Sequence, residues 1–180
     1  MPKHLLLTGP PGCGKTTVIR GLVRQLQESG GPWNVRGFWT EEIRQRGTRT
    51  GFRIETAAGA TGTLARAGLS SAHRVGRYGV DLHSFESVGV AEVEAALEEA
   101  AGGEATILVM DEIGKMELFS DRFRRAVQRA FAEVPHVVAT IMRRAHPFAD
   151  ALKARADVSL ITVTPQNRAH LPAEALRQLL

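Results

Sequence analysis

The residues with the clearest chemical potential lie near the start of the chain, where Gly9 to Thr16 read GPPGCGKT. This segment matches the pattern G-x-x-x-x-G-K-[S/T], in which a loop turns its backbone N–H groups inward around a phosphate. Gly12 and Gly14 tolerate the backbone angles that such a loop needs. Lys15 can neutralise phosphate oxygens as a catalytic residue, and the hydroxyl of Thr16 is a suitable Mg²⁺ ligand. The segment therefore predicts a site for a nucleotide and its Mg²⁺ ion.

A second candidate element is the run ILVMDE, from Ile107 to Glu112, in which four apolar residues precede two carboxylates. Ligands of parallel sheets gather at the carboxyl ends of the strands, which is where these carboxylates are expected. Asp111 is then placed to hold Mg²⁺ through water, and Glu112 to orient or deprotonate an attacking water molecule. We expect Asp111 to serve the metal and Glu112 to be catalytic.

The same residues fit a competing interpretation. Asp111 to Gly114 match D-x-x-G, a switch element of GTPases, with Thr40 as the matching switch threonine. Two features weigh against it. Nearly a hundred positions separate Lys15 from Asp111, which leaves room for a further strand between the two motif strands, and no N-K-x-D segment occurs in the sequence.

Size and composition indicate a single globular domain spanning residues 1–180, with 43% hydrophobic and 23% charged residues. The one cysteine, Cys13, excludes an internal disulfide framework and a multi-cysteine zinc site. No apolar run approaches the length of a membrane span, and the start of the chain lacks the features of a secretory signal. We expect a cytoplasmic protein with no membrane partner.

The net charge of +4 raises the possibility of a nucleic-acid partner. However, the basic residues are mostly arginines scattered among acidic residues, apart from the pairs Arg124-Arg125 and Arg143-Arg144. Charge alone therefore does not favour nucleic acid, although it does not exclude it, and we expect a monomer that binds small molecules.

Apolar strands alternate with amphipathic helices, a pattern that predicts a largely parallel sheet with helices on both faces. An added β-hairpin is expected around Arg46-Gly47-Thr48, and Ser84 and Ser120 are expected to cap helices. The stretch from Ala57 to Asp81 is rich in Gly, Ala and Ser and is the hardest to assign. The predicted strands are His4–Thr8, Val35–Arg44, Gly51–Thr56, Thr61–Arg66, Thr106–Glu112, Val137–Ile141 and Ser159–Val163; the predicted helices are Lys15–Glu28, Ser84–Ala101, Ser120–Glu133, Phe148–Ala156 and Gln166–Leu180.

Four segments make the chain resemble the THEP1-type nucleoside-triphosphatase family. They are LLLTGPPGCGKTT (Leu5–Thr17), GFWTEEIRQRGTRTGFRIET (Gly37–Thr56), VMDEIGKMELFS (Val109–Ser120) and VTPQNRAHL (Val163–Leu171). The phosphate loop alone is shared by many unrelated proteins, whereas the other segments are more specific, and together they cover nearly the whole chain. The segment from Met142 to Pro147 matches no family pattern.

The resemblance implies a P-loop α/β domain that slowly hydrolyses ATP, GTP, CTP and UTP, with Mg²⁺ as cofactor and weak base selectivity. It also implies two nucleotide-binding segments, to which we add Thr17 and Asn167. The first comprises Gly9, Pro10, Pro11, Gly12, Cys13, Gly14, Lys15 and Thr16; the second comprises Leu108, Val109, Met110, Asp111, Glu112, Ile113, Gly114 and Lys115. The alternatives are a kinase for a small acceptor and a nucleotide-controlled module that binds RNA or protein.

Other polar residues could complete the site. Thr140 ends the strand after the Asp111 strand, where related ATPases often place a side chain that senses the γ-phosphate. Asn167 and Arg168 could flank the base or the ribose, although Asn167 could equally cap the last helix. An arginine that neutralises charge during phosphoryl transfer is also expected. The sequence leaves five arginines open for that role: Arg44, Arg49, Arg53, Arg143 and Arg144.

Overall fold

The computed structural model describes residues 3–179, which form nine strands and six α-helices; the second to sixth strands follow one another directly, and the other strands are separated by helices. The strands are β1 (His4–Thr8), β2 (Asn34–Gln45), β3 (Thr48–Thr56), β4 (Thr61–Ala67), β5 (Arg74–Val75), β6 (Tyr78–Val80), β7 (Thr106–Ile113), β8 (His136–Ile141) and β9 (Val158–Thr162). The helices are α1 (Lys15–Glu28), α2 (Leu82–Phe85), α3 (Ala91–Ala101), α4 (Asp121–Glu133), α5 (Pro147–Lys153) and α6 (Leu171–Leu179). A π-helical segment, Glu86–Val90, joins α2 to α3, and a 3-10 turn, Glu117–Phe119, precedes α4.

All nine strands belong to one sheet, in the order β5-β6-β4-β3-β2-β7-β8-β1-β9. The strands from β2 to β9 in this order pair in parallel, and β3, β4, β6 and β5 extend the sheet with antiparallel pairs. Strands buried on both faces of a parallel sheet are continuously apolar, which describes the Leu5–Leu7 run and the Ile107–Met110 run.

Helices cover both faces of the sheet and enclose two hydrophobic cores. On one face, α1 and α6 pack through a stripe of α1 that includes Val18, Leu22 and Leu26, residues at the spacing of one helical face. The other core contains side chains of α3, α4 and α5, with Phe38, Phe85 and Phe123 in mutual edge-to-face contact at its centre. The expected α/β fold, with helices on both faces of the sheet, is therefore confirmed.

The antiparallel part of the sheet is larger than the expected hairpin. The hairpin of β2 and β3 and the short strand β4 occur where they were predicted, within a few residues. However, β5 and β6 lie in the stretch that could not be assigned, and they add two more antiparallel strands. These strands are only two and three residues long, which is too short for an alternating pattern to be recognised.

Two helix starts differ from expectation. Asp81, rather than Ser84, caps α2, since its Oδ1 accepts a hydrogen bond of 2.9 Å from the Ser84 N–H. The Ser84 hydroxyl instead accepts from the Thr63 N–H at 2.8 Å and so ties the helix to β4. The last helix was predicted to occupy most of residues 166–180; it spans Leu171–Leu179 after turns at residues 165–170, and Leu180 lies outside the described residues. Ser120 caps α4 as predicted.

Candidate nucleotide-binding and active site

The glycine-rich loop connects β1 to α1 and ends at Gly14, whose φ of 106° and ψ of 20° place it in the left-handed region. Helix α1 has neither a side-chain cap nor an acidic residue in its first turn. Its first N–H groups and its positive dipole end are therefore available to an anion. The Lys15 ammonium donates to the carbonyls of Gly9 at 3.1 Å and Pro10 at 3.3 Å, which holds its charge over the loop.

A hydrogen bond joins this loop to the acidic strand end. The Thr16 hydroxyl donates to Asp111 Oδ2 at 2.7 Å, and the Thr140 hydroxyl donates to Asp111 Oδ1 at 2.6 Å. Asp111 is only 2% exposed. Its burial raises its pKa, whereas the two threonine hydroxyls and the charge of Lys15 act in the opposite direction. The structure thus brings together the two residues expected to serve the metal, and it adds Thr140 as a partner of Asp111.

These oxygens suit Mg²⁺ better than a metal that requires a complete protein cage. Mg²⁺ binds oxygen ligands and usually keeps several waters beside one or two protein groups and substrate phosphates. The Thr16 hydroxyl and the Asp111 carboxylate provide such a partial set. Within residues 3–179, no group of three or more His, Cys, Asp or Glu side chains could hold a metal ion. A Mg²⁺ ion completed by nucleotide phosphates therefore fits the residues present.

Glu112 lies between two cavities. A cavity of about 490 Å³ includes Glu112, Lys15 and Arg144 in its lining, and one of about 230 Å³ includes Glu112, Lys15 and Asp111. Burial raises the pKa of the Glu112 carboxyl, the negative charge of Asp111 raises it further, and Lys15 lowers it. A partly buried carboxylate of raised pKa that lines both cavities with Lys15 can accept a proton from water.

The second predicted segment contributes mainly at its end. The side chains of Leu108, Val109, Met110 and Ile113 are buried in the two cores, so they support the strand rather than reach a ligand. Beyond the strand end, Gly114 and Lys115 line the larger cavity. The buried apolar part of β7 thus anchors the strand in the sheet, and this holds Asp111 and Glu112 at its carboxyl end.

The other residues of the first segment divide between cavity walls and support. Pro11 lines both cavities, and Thr17, which follows the segment, lines the smaller one. Cys13 is buried against the core of α1 and α6, so its thiol lies behind the loop. These positions agree with a loop whose backbone, more than its side chains, faces a ligand.

Asn167 and Arg168 have different surroundings. The Asn167 side chain accepts from the Thr164 N–H at 2.8 Å and donates to the Thr162 carbonyl at 2.9 Å, so it stabilises the turn after β9. Arg168 is exposed and lies against the phosphate loop, with its Cδ 3.0 Å from where a Cβ on Gly14 would lie. Of the two neighbours, Arg168 has the freer side chain for contact with a base or ribose.

Glu117 is a buried residue next to the site that sequence reasoning missed. This residue is 4% exposed, and both its carboxyl and that of Glu112 lie close to Gly114. Burial raises its pKa well above the usual value, and the negative charges of Glu112 and Asp111 raise it further. A glutamate between apolar residues after a strand is typical of a surface loop, so only the folded structure shows that it is enclosed.

The strand order bears on the GTPase interpretation. Strand β8 lies between β1, which precedes the phosphate loop, and β7, which ends at the carboxylates. This intervening strand follows Asp111 in the sequence, so it is not formed by the long segment between Lys15 and Asp111. Thr40 lines the smaller cavity with Asp111, but it does so from β2, which pairs with β3 along the strand to Gln45. The geometry therefore favours a sheet with separated motif strands over a GTPase switch.

A phosphate loop closing onto an acidic strand end, at the carboxyl edge of a parallel sheet, defines a P-loop nucleotide-binding protein. Comparison with known proteins narrows this class. The NTPase family profile matches residues 4–176, and the chain belongs to this family.

Relatives from bacteria and animals are similar over nearly their full length. The nucleoside-triphosphatase THEP1 of Thermotoga sp. (strain RQ2) is 43% identical over 175 residues, covering 97% of this chain and 94% of the relative. The cancer-related nucleoside-triphosphatase of Homo sapiens is 42% identical over 180 residues, covering 95% and 93%. The resemblance read from the sequence motifs is thus confirmed.

Two solved structures share the fold. The crystal structure of THEP1 from Aquifex aeolicus superposes with a TM-score of 0.87 at 38% identity and covers 98% of both chains. The solution structure of a human cancer-related nucleoside triphosphatase gives a TM-score of 0.83 at 40% identity, covering 98% of this chain and 97% of the other. No helix within residues 3–179 is long and apolar enough to cross a membrane. The cytoplasmic location stays a prediction.

Proposed function

We propose that this P-loop nucleoside-triphosphatase hydrolyses the γ-phosphate of ATP, GTP, CTP and UTP in a Mg²⁺-dependent reaction with weak base selectivity. The observation that carries the proposal is the 2.7 Å hydrogen bond between Thr16 and Asp111, which joins the phosphate loop to the acidic strand end. Lys15 and Glu112 both line the two cavities that adjoin the phosphate loop and the acidic strand end. The nucleoside-triphosphatases named among its relatives support the same reaction class.

In the proposed reaction, the oxygen of a water molecule forms a bond to the γ-phosphorus, and the bond from that phosphorus to the β,γ-bridging oxygen breaks. Glu112 accepts a proton of the attacking water, so that nucleoside diphosphate and phosphate are the products. The loop N–H groups hold the β-phosphate, while Lys15 stabilises charge on β- and γ-oxygens. Thr16 and Asp111 would hold Mg²⁺, which neutralises phosphate charge when bound.

Weak base selectivity has a structural rationale. The phosphate loop, Asp111 and Glu112 all address the triphosphate rather than the base. Near the loop, the exposed Arg168 offers a planar guanidinium, which can stack on any base because every base presents a π-face. A site built in this way would bind the four common nucleotides with similar affinity.

The kinase alternative requires a basic lid that closes over the phosphates and excludes water. The basic hairpin from Arg44 to Arg53 is a candidate for such a lid. Within the described chain, this hairpin is part of the sheet, and its arginines pair with acidic side chains: Arg44 and Arg49 with Glu42, and Arg53 with Glu41. Because these arginines are already paired with carboxylates, the hairpin is not suited to closing over the phosphates. Transfer of the phosphoryl group to water is therefore favoured over transfer to an acceptor substrate.

A polynucleotide partner is not favoured either. Nine arginines in residues 3–179 form ion pairs with carboxylates, which reduces the positive surface that a nucleic acid would need. They are Arg20, Arg36, Arg44, Arg49, Arg53, Arg122, Arg124, Arg129 and Arg155. The monomeric state stays a prediction.

The test is release of inorganic phosphate from each of the four nucleoside triphosphates with Mg²⁺ and no acceptor. We expect steady release from all four, and a loss of at least about 100-fold in both Lys15→Ala and Glu112→Gln. Glu112→Gln should still bind ATP, because glutamine keeps the shape of the side chain and removes only its basicity. Nucleotide binding by the wild type without phosphate release would refute the proposed reaction.

A further inference from the structure

Three exposed basic side chains contribute to the lining of the larger cavity. Lys115, Arg143 and Arg144 line it together with Lys15 and Glu112. All three are exposed, and no carboxylate within residues 3–179 forms an ion pair with any of them. Four basic groups line this cavity with a single carboxylate, that of Glu112, so a bound anion would reduce the repulsion that remains among them. The cluster is therefore suited to a highly charged phosphate group.

The other arginines considered for this role are already neutralised. Arg44 donates to Glu42 at 2.6 Å, and Arg49 donates to the same carboxylate at 2.9 Å. Arg53 donates to Glu41 at 2.8 Å. Recruiting any of these three to the nucleotide would require breaking an ion pair. Arg143 and Arg144 could contact the nucleotide without the breaking of an ion pair.

The backbone that presents the pair is fixed at both ends. The Met142 N–H donates to the Ile113 carbonyl at 3.1 Å, which ties the start of the loop to the strand bearing Asp111. At the other end, His146 Nδ1 accepts from the Phe148 N–H at 3.2 Å and caps α5, while Asp150 accepts from the His146 N–H at 3.0 Å. Arg143 and Arg144 thus extend from a short loop that is anchored at both ends and whose side chains line the cavity.

Lys15 and Glu112 line both cavities, and other polar residues of the site line only one of the two. Thr16 and Asp111 line the smaller cavity, on the side proposed for the metal, whereas the arginine pair lines the larger one. The transferred phosphoryl group spreads negative charge over its three equatorial oxygens in the transition state, and an arginine is suited to stabilising that charge.

We propose that Arg143 and Arg144 are catalytic residues that contact the γ-phosphoryl group and stabilise its charge in the transition state. This inference rests on the proposed hydrolysis. A contact with the γ-phosphoryl group does not involve the base, so the pair would act on every nucleoside triphosphate alike. It also gives the segment from Met142 to Pro147 a function that its sequence did not reveal.

Steady-state hydrolysis of ATP is compared in Arg143→Ala, Arg144→Ala and the double variant, with Arg125→Ala as the control. Arg125 is an exposed arginine on α4, away from both cavities. We expect kcat of the double variant to fall by about 10²–10³-fold, as when other preorganised transition-state donors are removed. The Kd for ADP should change by less than about threefold, because ADP lacks the γ-phosphate. Arg125→Ala should match the wild type in both measurements.

A second measurement separates transition-state contact from loss of folding. The wild type should bind ADP more tightly when aluminium fluoride is present as a mimic of the transferred phosphoryl group, and the double variant should lose that gain. The double variant Arg143→Lys and Arg144→Lys keeps both charges but lacks the planar guanidinium groups. It should recover part of the kcat that the double Ala variant loses. Unchanged kcat in the double Ala variant of an active enzyme overturns the inference, as does an equal loss of ADP affinity and kcat. If the wild type itself releases no phosphate, the proposed hydrolysis is refuted, and the inference about the two arginines falls with it.

Discussion

At the scale of single residues, Asp111 is the point where the site is held together. Both of its carboxylate oxygens accept hydrogen bonds, one from Thr16 on α1 and one from Thr140 on β8. These bonds compensate a buried carboxylate for the water that it loses. Asp111 therefore links the phosphate loop, the acidic strand and the neighbouring strand through contacts shorter than 2.8 Å. Any shift in one of these three elements would move the proposed metal-binding oxygens.

His4 is a buried residue outside the site whose ionisation affects stability. Its Nδ1 accepts a hydrogen bond of 3.1 Å from the Val137 N–H, and its ring packs against Phe131. Burial lowers its pKa to about 4, and the charges of Arg155 and His136 also lower it, although Asp157 acts in the opposite direction. Protonation of Nδ1 would set its N–H against the N–H of Val137, so the folded protein keeps this ring neutral.

This leads to a prediction on acid stability. The pKa of His4 is lower in the folded protein than its ordinary value of 6.5, so the unfolded chain binds the proton more tightly. The stabilisation is fully present above pH 6.5 and is lost as the pH falls from 6.5 to about 4. A difference of this size corresponds to about 3 kcal/mol. Urea unfolding of wild type and His4→Asn at pH 7 and pH 4 measures it, since Asn can accept the Val137 hydrogen bond but does not titrate.

We expect the wild type to lose about 3 kcal/mol more than His4→Asn between these two pH values. Equal losses in the two proteins would mean that His4 has an ordinary pKa in the folded state. The difference between the pH values is compared, rather than absolute stability, because Asn fills less space than His in the core.

The sequence was informative about residues where chemistry restricts the choice. Lys15, Thr16 and Asp111 could be selected because phosphate and Mg²⁺ binding require those groups at those places. Glu117 could not, since a carboxylate is normally exposed and nothing local indicates that this one is enclosed. The arginines were equally ambiguous, because whether an arginine is free depends on partners distant in sequence, as with Arg53 and Glu41.

At the scale of elements, the helix after the phosphate loop was the most predictable. The observed bounds of α1 equal the predicted ones, since the motif fixes its start and a regular apolar stripe marks its extent. The segment from Glu86 to Val90 was expected to be ordinary helix and is π-helical instead. The apolar period of a helix does not distinguish the two at that length, and packing of Phe85 beside Gly89 within the core accompanies the change.

Gly37 provides an element-scale prediction about the contact between β2 and β7. It has a φ of 128°, and a Cβ there would lie 1.7 Å from the carbonyl oxygen of Val109. Gly37→Ala should therefore force the two strands apart and cost at least about 4 kcal/mol, or prevent folding. Gly47→Ala is the matched control, since Gly47 also has a positive φ, of 79°, but no atom within 4 Å of the added Cβ.

Thermal unfolding followed by circular dichroism checks this prediction. We expect Gly37→Ala to melt at least about 10 °C below the wild type, and Gly47→Ala to lose only the few degrees that backbone strain in a turn explains. Similar melting temperatures for the two variants would show that strand contact at Gly37 is looser than the structure indicates.

At the scale of the whole molecule, one sheet determines how the site is assembled. The loop that ends before Lys15 follows β1, and Asp111 and Glu112 lie near the carboxyl end of β7. Thr140 belongs to β8, which lies between β1 and β7 in the sheet. Their common edge explains why three segments distant in sequence meet. The class of fold could be predicted from alternating strands and helices, but the order of the strands could not, because buried parallel strands have similar apolar sequences.

The central claim is that a water molecule attacks the γ-phosphorus of a nucleoside triphosphate held at this edge of the sheet. The most direct test is hydrolysis of ATP in water enriched in ¹⁸O, followed by mass spectrometry of both products. We predict one ¹⁸O atom in each released phosphate and none in the ADP, with the labelled phosphate strongly reduced in Glu112→Gln. Label in the ADP, or labelled phosphate formed equally fast by Glu112→Gln, would contradict the account.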